Sequence, residues 1–442
     1  MSPARTVRQP LGALRAAALG LALAGAPALQ AAGLDACTAD AGLAAALLPA
    51  PALATESLSR LPEVRAAQAE ASTAQARRRR LELGPYEWSA KAGTARRRDQ
   101  AGGRYPEQEV GLETAMRWPA KAAADRELGA QEAGIGELAL SHAWQQAARR
   151  LLDDWFELLR ESRAAELLED QALLAQRQLA LTERRVLAGE VAARDRLLAE
   201  AELARADAAA AQARLRAQAR LRALQARHAG LTPPAADVWP GLPQSLQGVA
   251  GPDSARWTEA CAAGILAEHP ELALMQARAR QSLLKAQRAE LERTGDPTLG
   301  LRVARERGGA ENLLGVYASM PLGGEARRAA ALEAQGEAQA AQDRLAETRQ
   351  RVGLEAAQAA AAYPAALAVW RKLETARTQA ERGAQLQARA YELGEGSLPE
   401  LLIARRSAID ATLAAEAAAL DALQGLARLQ VDRRQLWSMP GR

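Results

Sequence analysis

Two spacings of apolar residues alternate along the chain. Long stretches carry Ala and Leu at helical spacing, interleaved with Arg, Glu and Gln, over 61–83, 120–187, 269–291 and 325–391. Short stretches switch to a period of two. In "EVGLETAMRW", Val110, Leu112, Thr114, Met116 and Trp118 alternate with Glu109, Gly111, Glu113, Ala115 and Arg117. "PTLGLRVARER" sets Leu299, Leu301 and Val303 against Gly300, Arg302 and Ala304. "NLLGVYASMP" sets Leu314, Val316, Ala318 and Met320 against Leu313, Gly315, Tyr317 and Ser319. The first spacing predicts helices and the second predicts strands with one apolar and one polar face.

The two longest patterns run for about 67 residues, so each predicts a helix of about 100 Å. Both stop at glycines, in "RRVLAGEVAARD" and "YELGEGSLPELL", and a return helix of about 40 residues follows each break. Pro364 is expected to kink the second long helix. The two shorter helices of each half nearly match the long one in summed length, which predicts that they lie end to end beside it.

The chain is written twice. "SLSRLPEVRAAQAEASTAQARRRRLELGPYEW" answers to "ILAEHPELALMQARARQSLLKAQRAELERTGDPTL", and "VLAGEVAARDRLLAEAE" answers to "ELGEGSLPELLIARRSA". This gives a first repeat over 61–230 and a second over 257–437, each a helix, two strands and a long helical hairpin. A Pro/Gly-rich connector, 231–256, joins them, and a short tail, 438–442, follows. The fold class expected is mainly α with a small β part.

Composition sharpens this reading. The chain has 442 residues and is 49% hydrophobic but only 3% aromatic, with Phe156 its one phenylalanine. Packed helices rich in Ala and Leu suit that balance better than an ordinary globular core. The net charge of +4 is spread, and the run Arg77–Arg80 reads as a solvated helix end, which argues against nucleic acid as a partner. Arg5, Arg8 and Arg15 precede the small apolar run "AAALGLALAGA", the pattern of a secretory signal peptide over 1–31, with an N-terminal extension over 32–60. No later stretch predicts a transmembrane helix. Cys37 and Cys261 leave three states open: free thiols, a disulfide, and lipidation at "LDAC".

Catalytic chemistry finds no constellation. His142, His228 and His269 lack metal-ligand spacing, and "PLGGEAR" lacks the Lys-Ser/Thr ending of a phosphate loop. The expectation is a protein that is not an enzyme and holds no cofactor or metal.

About ten residues of alternation suits a lipid-facing, water-lined barrel strand, with Val110, Leu112, Met116, Leu314 and Val316 as the lipid-facing candidates. The same alternation fits a soluble sheet with one buried face. Four strands cannot close a membrane barrel, since known examples begin at about eight, so a barrel requires several copies.

The duplicated order, the Pro-ended strands ("RWPAK", "SMPLGGEARRA") and the paired "AGE…D" and "Y-x-L-G-x-G-S-L-P-E-L-L" breaks resemble the TolC-type outer-membrane factor family over nearly the whole mature chain. The resemblance implies a homotrimer with a twelve-stranded barrel in outer-membrane lipid and a periplasmic helical tunnel. It implies an exit duct working with a periplasmic adaptor and an inner-membrane transporter. "DPTLGLRVARERGGAENLLGVYASMPLGG" is most similar to the subclass serving heavy-metal cation exporters. A drug-efflux or type I secretion duct is the alternative within this architecture, and an exported coiled-coil scaffold or adaptor is the alternative outside it. By the same resemblance Gly189, Glu190, Gly394 and Gly396 mark hairpin tips where the adaptor docks. Asp195 and Glu400 match acidic positions lining the closed periplasmic gate, while Ile403 stands where a second acidic position is expected. Helix capping is the competing reading of Asp195 and Glu400.

Overall fold

The computed structural model describes residues 47–84, 87–98, 100, 102–233 and 254–440. The signal-peptide stretch, Cys37 and most of the connector lie outside the described residues. Two helices, α1 (Pro51–Arg60) and α2 (Pro62–Leu83), lead into strands β1 (Ser89–Arg98) and β2 (Arg104–Ala115). The hairpin α3 (Pro119–Leu187) and α4 (Ala193–Arg227) completes the first half. The second half repeats the order with α5 (Ser254–Ala267), α6 (Pro270–Leu291), β3 (Thr298–Glu306), β4 (Glu311–Ser319), α7 (Glu325–Glu392) and α8 (Leu398–Asp432).

The long helices have 69 and 68 residues, so each spans about 100 Å. Helices α2 (22 residues) and α4 (35 residues) both pack along α3, and α6 and α8, of the same two lengths, both pack along α7. The end-to-end stacking expected from the sequence is therefore present. The return helices are shorter than the 40 residues expected. Proline at the first turn starts α2, α3, α6 and α8, where its missing N–H costs no helical bond.

Helix α7 continues through Pro364 as one element. Here Gly425 of α8 sits where a Cβ would come 3.2 Å from the Cα of Tyr363, so the two helices approach closely beside the proline. One window of α7 is long and apolar enough to cross a bilayer. Yet α7 packs on α5, α6 and α8 and buries Ala356, Ala360, Tyr363 and Leu367 within the described residues.

The largest hydrophobic cluster among the described residues is a collar midway along the long helices. Trp155, Phe156, Tyr363, Leu367, Leu423 and Leu426 are buried together there. Segments outside the long helices wrap the collar: Trp155 Nε1 donates to the carbonyl of Leu47 (2.8 Å), and Trp144 Nε1 to that of Trp437 (2.8 Å). Arg149 Nε donates to Asp432 Oδ1 at 2.6 Å, a buried ion pair. His228, fully buried, meets Ser57 Oγ through Nδ1 at 2.9 Å. Burial pushes its pKa down to about 4, and burial lowers those of His142 and His269 as well. Cys261, buried on α5, is disulfide-bonded, which removes the free-thiol reading for it.

Candidate functional sites on the sheet and at the hairpin tips

The four strands form one antiparallel sheet in the order β1-β2-β3-β4, so β1 and β4 are open edges and the β2–β3 pair joins the two halves. Cross-strand register decides the faces. Val110 lies opposite Ala92 and Val303, Leu112 opposite Ala90 and Leu301, and these continue to Leu314 and Val316 of β4. All of the larger residues in these rows are exposed, Val316 at 80% and Leu314 at 73%. A soluble sheet would bury this face against a second layer; here nothing among the described residues covers it. Met116 departs from the expectation. It lies one residue beyond β2, where its N–H still donates to the carbonyl of Pro297 (2.8 Å), so the alternation outlasts the ladder.

The opposite face is polar and ion-paired. Lys91 Nζ meets Glu113 Oε2 at 2.7 Å, Arg97 Nε meets Glu107 Oε1 at 2.8 Å, and Arg302 meets Glu109 at 2.8 Å. Tyr317 Oη donates to Glu113. Cross-strand opposite charges of this kind hold register on a wetted face.

A charged junction anchors the sheet to the helices. Arg117, at the β2–α3 corner, donates to Asp125 Oδ2 (2.8 Å) and Asp296 Oδ2 (2.9 Å). Lys121 Nζ reaches Glu292 Oε2 at 2.9 Å and Asp296 Oδ1 at 3.0 Å. Both cations are nearly fully buried. Burial works to lower the pKa of Arg117, but its carboxylate hydrogen bonds prevail and raise it. Burial likewise opposes ionisation of Glu292 and Asp296, and hydrogen bonds from Lys121 and Arg117 hold both below the usual carboxylate range. The network ties the first-half corner to the second-half corner, so removing one partner leaves a buried charge uncompensated.

At the far ends of the long helices, Gly189 (φ 74°) and Gly394 (φ 79°) adopt the left-handed conformation that an L side chain resists. Both ends are Schellman turns. Glu190 N–H donates to the Arg185 carbonyl and Glu395 N–H to that of Ala390, both at 2.9 Å. A Cβ at Gly189 or Gly394 would meet nothing within 4 Å, so the demand for glycine is conformational. Gly396 differs: a Cβ there would crowd Gln387 Nε2 (3.1 Å) and the Tyr391 nitrogen (3.3 Å). Glu190 pairs with Arg185 at 3.2 Å.

The acidic candidates part company. Glu400 closes a capping box with Ser397, accepting from its backbone N–H (3.0 Å) and from Gln387 Nε2 (3.2 Å). These bonds, the Ser397 backbone first, hold its pKa below the ordinary 4.5. Asp195 sits in the first turn of α4 but makes no capping bond, and Arg194 is its neighbour at 3.6 Å. Its Oδ1 is buried without a hydrogen-bond partner among the described residues. Residues the sequence reading missed tie the two tips together. The Arg185 guanidinium lies 4.8 Å from the Tyr391 ring centre, Arg405 donates to Gln178 (3.0 Å), and Arg406 pairs with Glu202. Leu187 and Leu393, beside the turns, stand out exposed.

No protein-family model and no curated protein matches the sequence. Solved structures do match. The outer-membrane channel OprN is similar at TM-score 0.72 and 19% identity, covering 87% of this chain and 90% of that one. The outer membrane protein VceC from Vibrio cholerae matches at TM-score 0.69 and 18% identity, over 88% of this chain and 96% of that one. CusC matches at TM-score 0.65 and 14% identity, over 86% and 91%. The chain therefore has the fold of these outer-membrane channels, the fold implied by the resemblance in its sequence.

Proposed function

We propose that the chain is the outer-membrane duct of a tripartite export system. The observation that carries this is the sheet: apolar and uncovered outside, ion-paired inside, open at both edges, and set at one end of helices about 100 Å long. Three copies, pairing β4 of one with β1 of the next, bring about twelve strands to a closed barrel, above the minimum of about eight. Closure satisfies both edges and places the apolar rows in lipid. The helices then continue the lumen as a periplasmic tunnel, whose hairpin tips, with Leu187 and Leu393 exposed, face an adaptor.

On the inner face Glu107, Glu109, Glu113, Glu306 and Glu311 outnumber Lys91, Arg97 and Arg302, which favours cationic cargo and accords with the resemblance to ducts of heavy-metal cation exporters. A salt gradient across the reconstituted channel gives a reversal potential of the cation-selective sign on this reading.

The test is assembly. Detergent-solubilised protein should run as a trimer of about 140 kDa, three times the 46.9 kDa chain before signal removal, and shift on heating. Leu112→Arg should destabilise membrane assembly by about 2–4 kcal/mol, and Ser319→Arg, on the inner face, by less. A stable, fully helical monomer indifferent to Leu112→Arg would overturn the proposal and favour an exported scaffold.

A further inference from the structure

The apolar face of the sheet ends in arginine. Above the rows of Val110 and Val303, the register sets Arg305 beside Gln108 and Asn312, then Arg96 opposite Pro106, then Arg98 opposite Arg104. These four arginines share the face of Leu112 and Val316 because each lies an even number of residues from its apolar neighbours. All four are exposed. None makes an ion pair among the described residues, whereas on the inner face Lys91, Arg97 and Arg302 each contact a carboxylate.

The asymmetry is one of composition as well as contact. The outward positions of the four strands carry no Asp or Glu at all, while the inward positions carry five Glu. Trimer closure does not supply the missing anion. Apart from Arg96 and Arg98, the edge strands bring only Ala90, Ala92 and Thr94 of β1 and Asn312, Leu314, Val316 and Ala318 of β4 to this side. Asp99, next after Arg98, lies outside the described residues; among the described ones no carboxylate meets these four like charges, and on one rim they repel each other unless an anion joins them.

Position says which anion. The sheet's helical connections all leave from its other end, so the arginines sit at the end farthest from the helices. Resting on the proposed function, that end is the outer leaflet. From the Val110 row to the Arg104 row is six residues, about 20 Å along a strand and less along the membrane normal once the strand tilts, which is headgroup depth. A guanidinium presents paired donors that match phosphate oxygens in a bidentate fork, and it is less strongly hydrated than an ammonium. We infer that this rim binds the phosphate groups of an anionic glycolipid in the outer leaflet, forming a lipid belt around the barrel mouth.

Full-length protein reconstituted in phosphatidylcholine vesicles with and without bis-phosphorylated lipid A tests this, read by lipid retained per trimer in native mass spectrometry and by the temperature at which the trimer dissociates. Arg96→Gln, Arg98→Gln, Arg104→Gln and Arg305→Gln should each lower lipid A retention about fivefold, and together abolish the rise in dissociation temperature that lipid A confers. Lys91→Gln and Arg302→Gln, on the inner face, should leave retention unchanged. Equal retention by the fourfold variant and the parent overturns the inference while trimers in phosphatidylcholine keep the duct reading intact. Displacement by equimolar inorganic phosphate overturns it too, since the rim would then be a general anion site. Absence of a heat-dissociable trimer in every lipid removes the duct reading and this one with it.

Discussion

The collar and the hairpin tips are built from the same kind of helix and differ in almost everything else. The collar gathers Trp155, Phe156 and Tyr363, buries them completely, and is strapped by indole hydrogen bonds to Leu47 and Trp437. The tips bury a few small or aliphatic residues around Tyr391, and their turns expose Leu187 and Leu393. A bundle whose seams are mostly Ala gains little per residue, since a methyl group buries little area. Concentrating the few aromatics in one place gives the cooperative core, and leaves the tips free to move or to meet a partner. Stability therefore belongs to the collar, and on the proposed function recognition belongs to the tips.

The largest test of that division is Phe156→Ala. It removes a ring that is 1% exposed and should cost about 3–5 kcal/mol, seen as a fall in trimer thermal stability. A comparable loss from truncating Leu393 at the tip would erase the distinction.

Acid should weaken the collar next. His228 has a folded pKa of about 4 against an unfolded 6.5, so the unfolded chain binds more protons between those values. Its contribution is complete above pH 6.5 and is lost as pH falls toward 4, up to about 3 kcal/mol. His142 and His269, also depressed by burial, act in the same direction. His228→Gln, which keeps a partner for Ser57, should flatten the dependence of the melting temperature across this range. An unchanged slope would place the titration elsewhere.

How much of this was legible in the sequence follows from what each element depends on. The long helices were, nearly to the residue, because their signal is local periodicity, and β2, β3 and β4 were, because Val, Leu and Ile-like bulk alternates with charge. Strand β1 was the weak one: Ala90, Ala92 and Thr94 offer little contrast with Gly93 and Ala95. The run Arg96–Arg98 at its end was a readable charge signal whose face only the register assigns. The collar was illegible, because Trp144 meets Trp437 and Trp155 meets Leu47 across long sequence separations that no spacing encodes. At the tips the positive-φ glycines were legible, and so was the Ser397-to-Glu400 box, whose S-x-x-E spacing is itself a signature. The Arg185–Tyr391 contact and the uncapped state of Asp195 depend on how two hairpins dock, and only the fold supplies that.

The tip glycines should separate function from fold. Gly189→Leu or Gly394→Leu forces a side chain to positive φ at a cost of about 1 kcal/mol, with open space to receive it. Trimer yield and melting temperature should barely change, while export in cells and binding of the cognate adaptor fall sharply. Export at the parental level would show that the turns are not the docking points.

The smallest effects concern the two carboxylates, and here the tips differ from each other. Glu400 accepts from the Ser397 N–H and from Gln387 through Oε2, so Glu400→Ala removes a helix cap and should lower the melting temperature slightly. Asp195 has no such bond, and its Oδ1, with only Arg194 at 3.6 Å, has no hydrogen-bond partner among the described residues, so Asp195→Ala should leave stability unchanged or slightly improved. Function should rank them in the opposite order. In the trimer proposed above, a carboxylate not committed to capping is the one free to attract cations at the mouth, where three copies would form a ring. Single-channel recordings should therefore show altered cation block for Asp195→Ala and a weaker change for Glu400→Ala. If Glu400→Ala changes the block more, the capping box is itself part of the gate, and the two tips divide their work differently from the way their hydrogen bonds suggest.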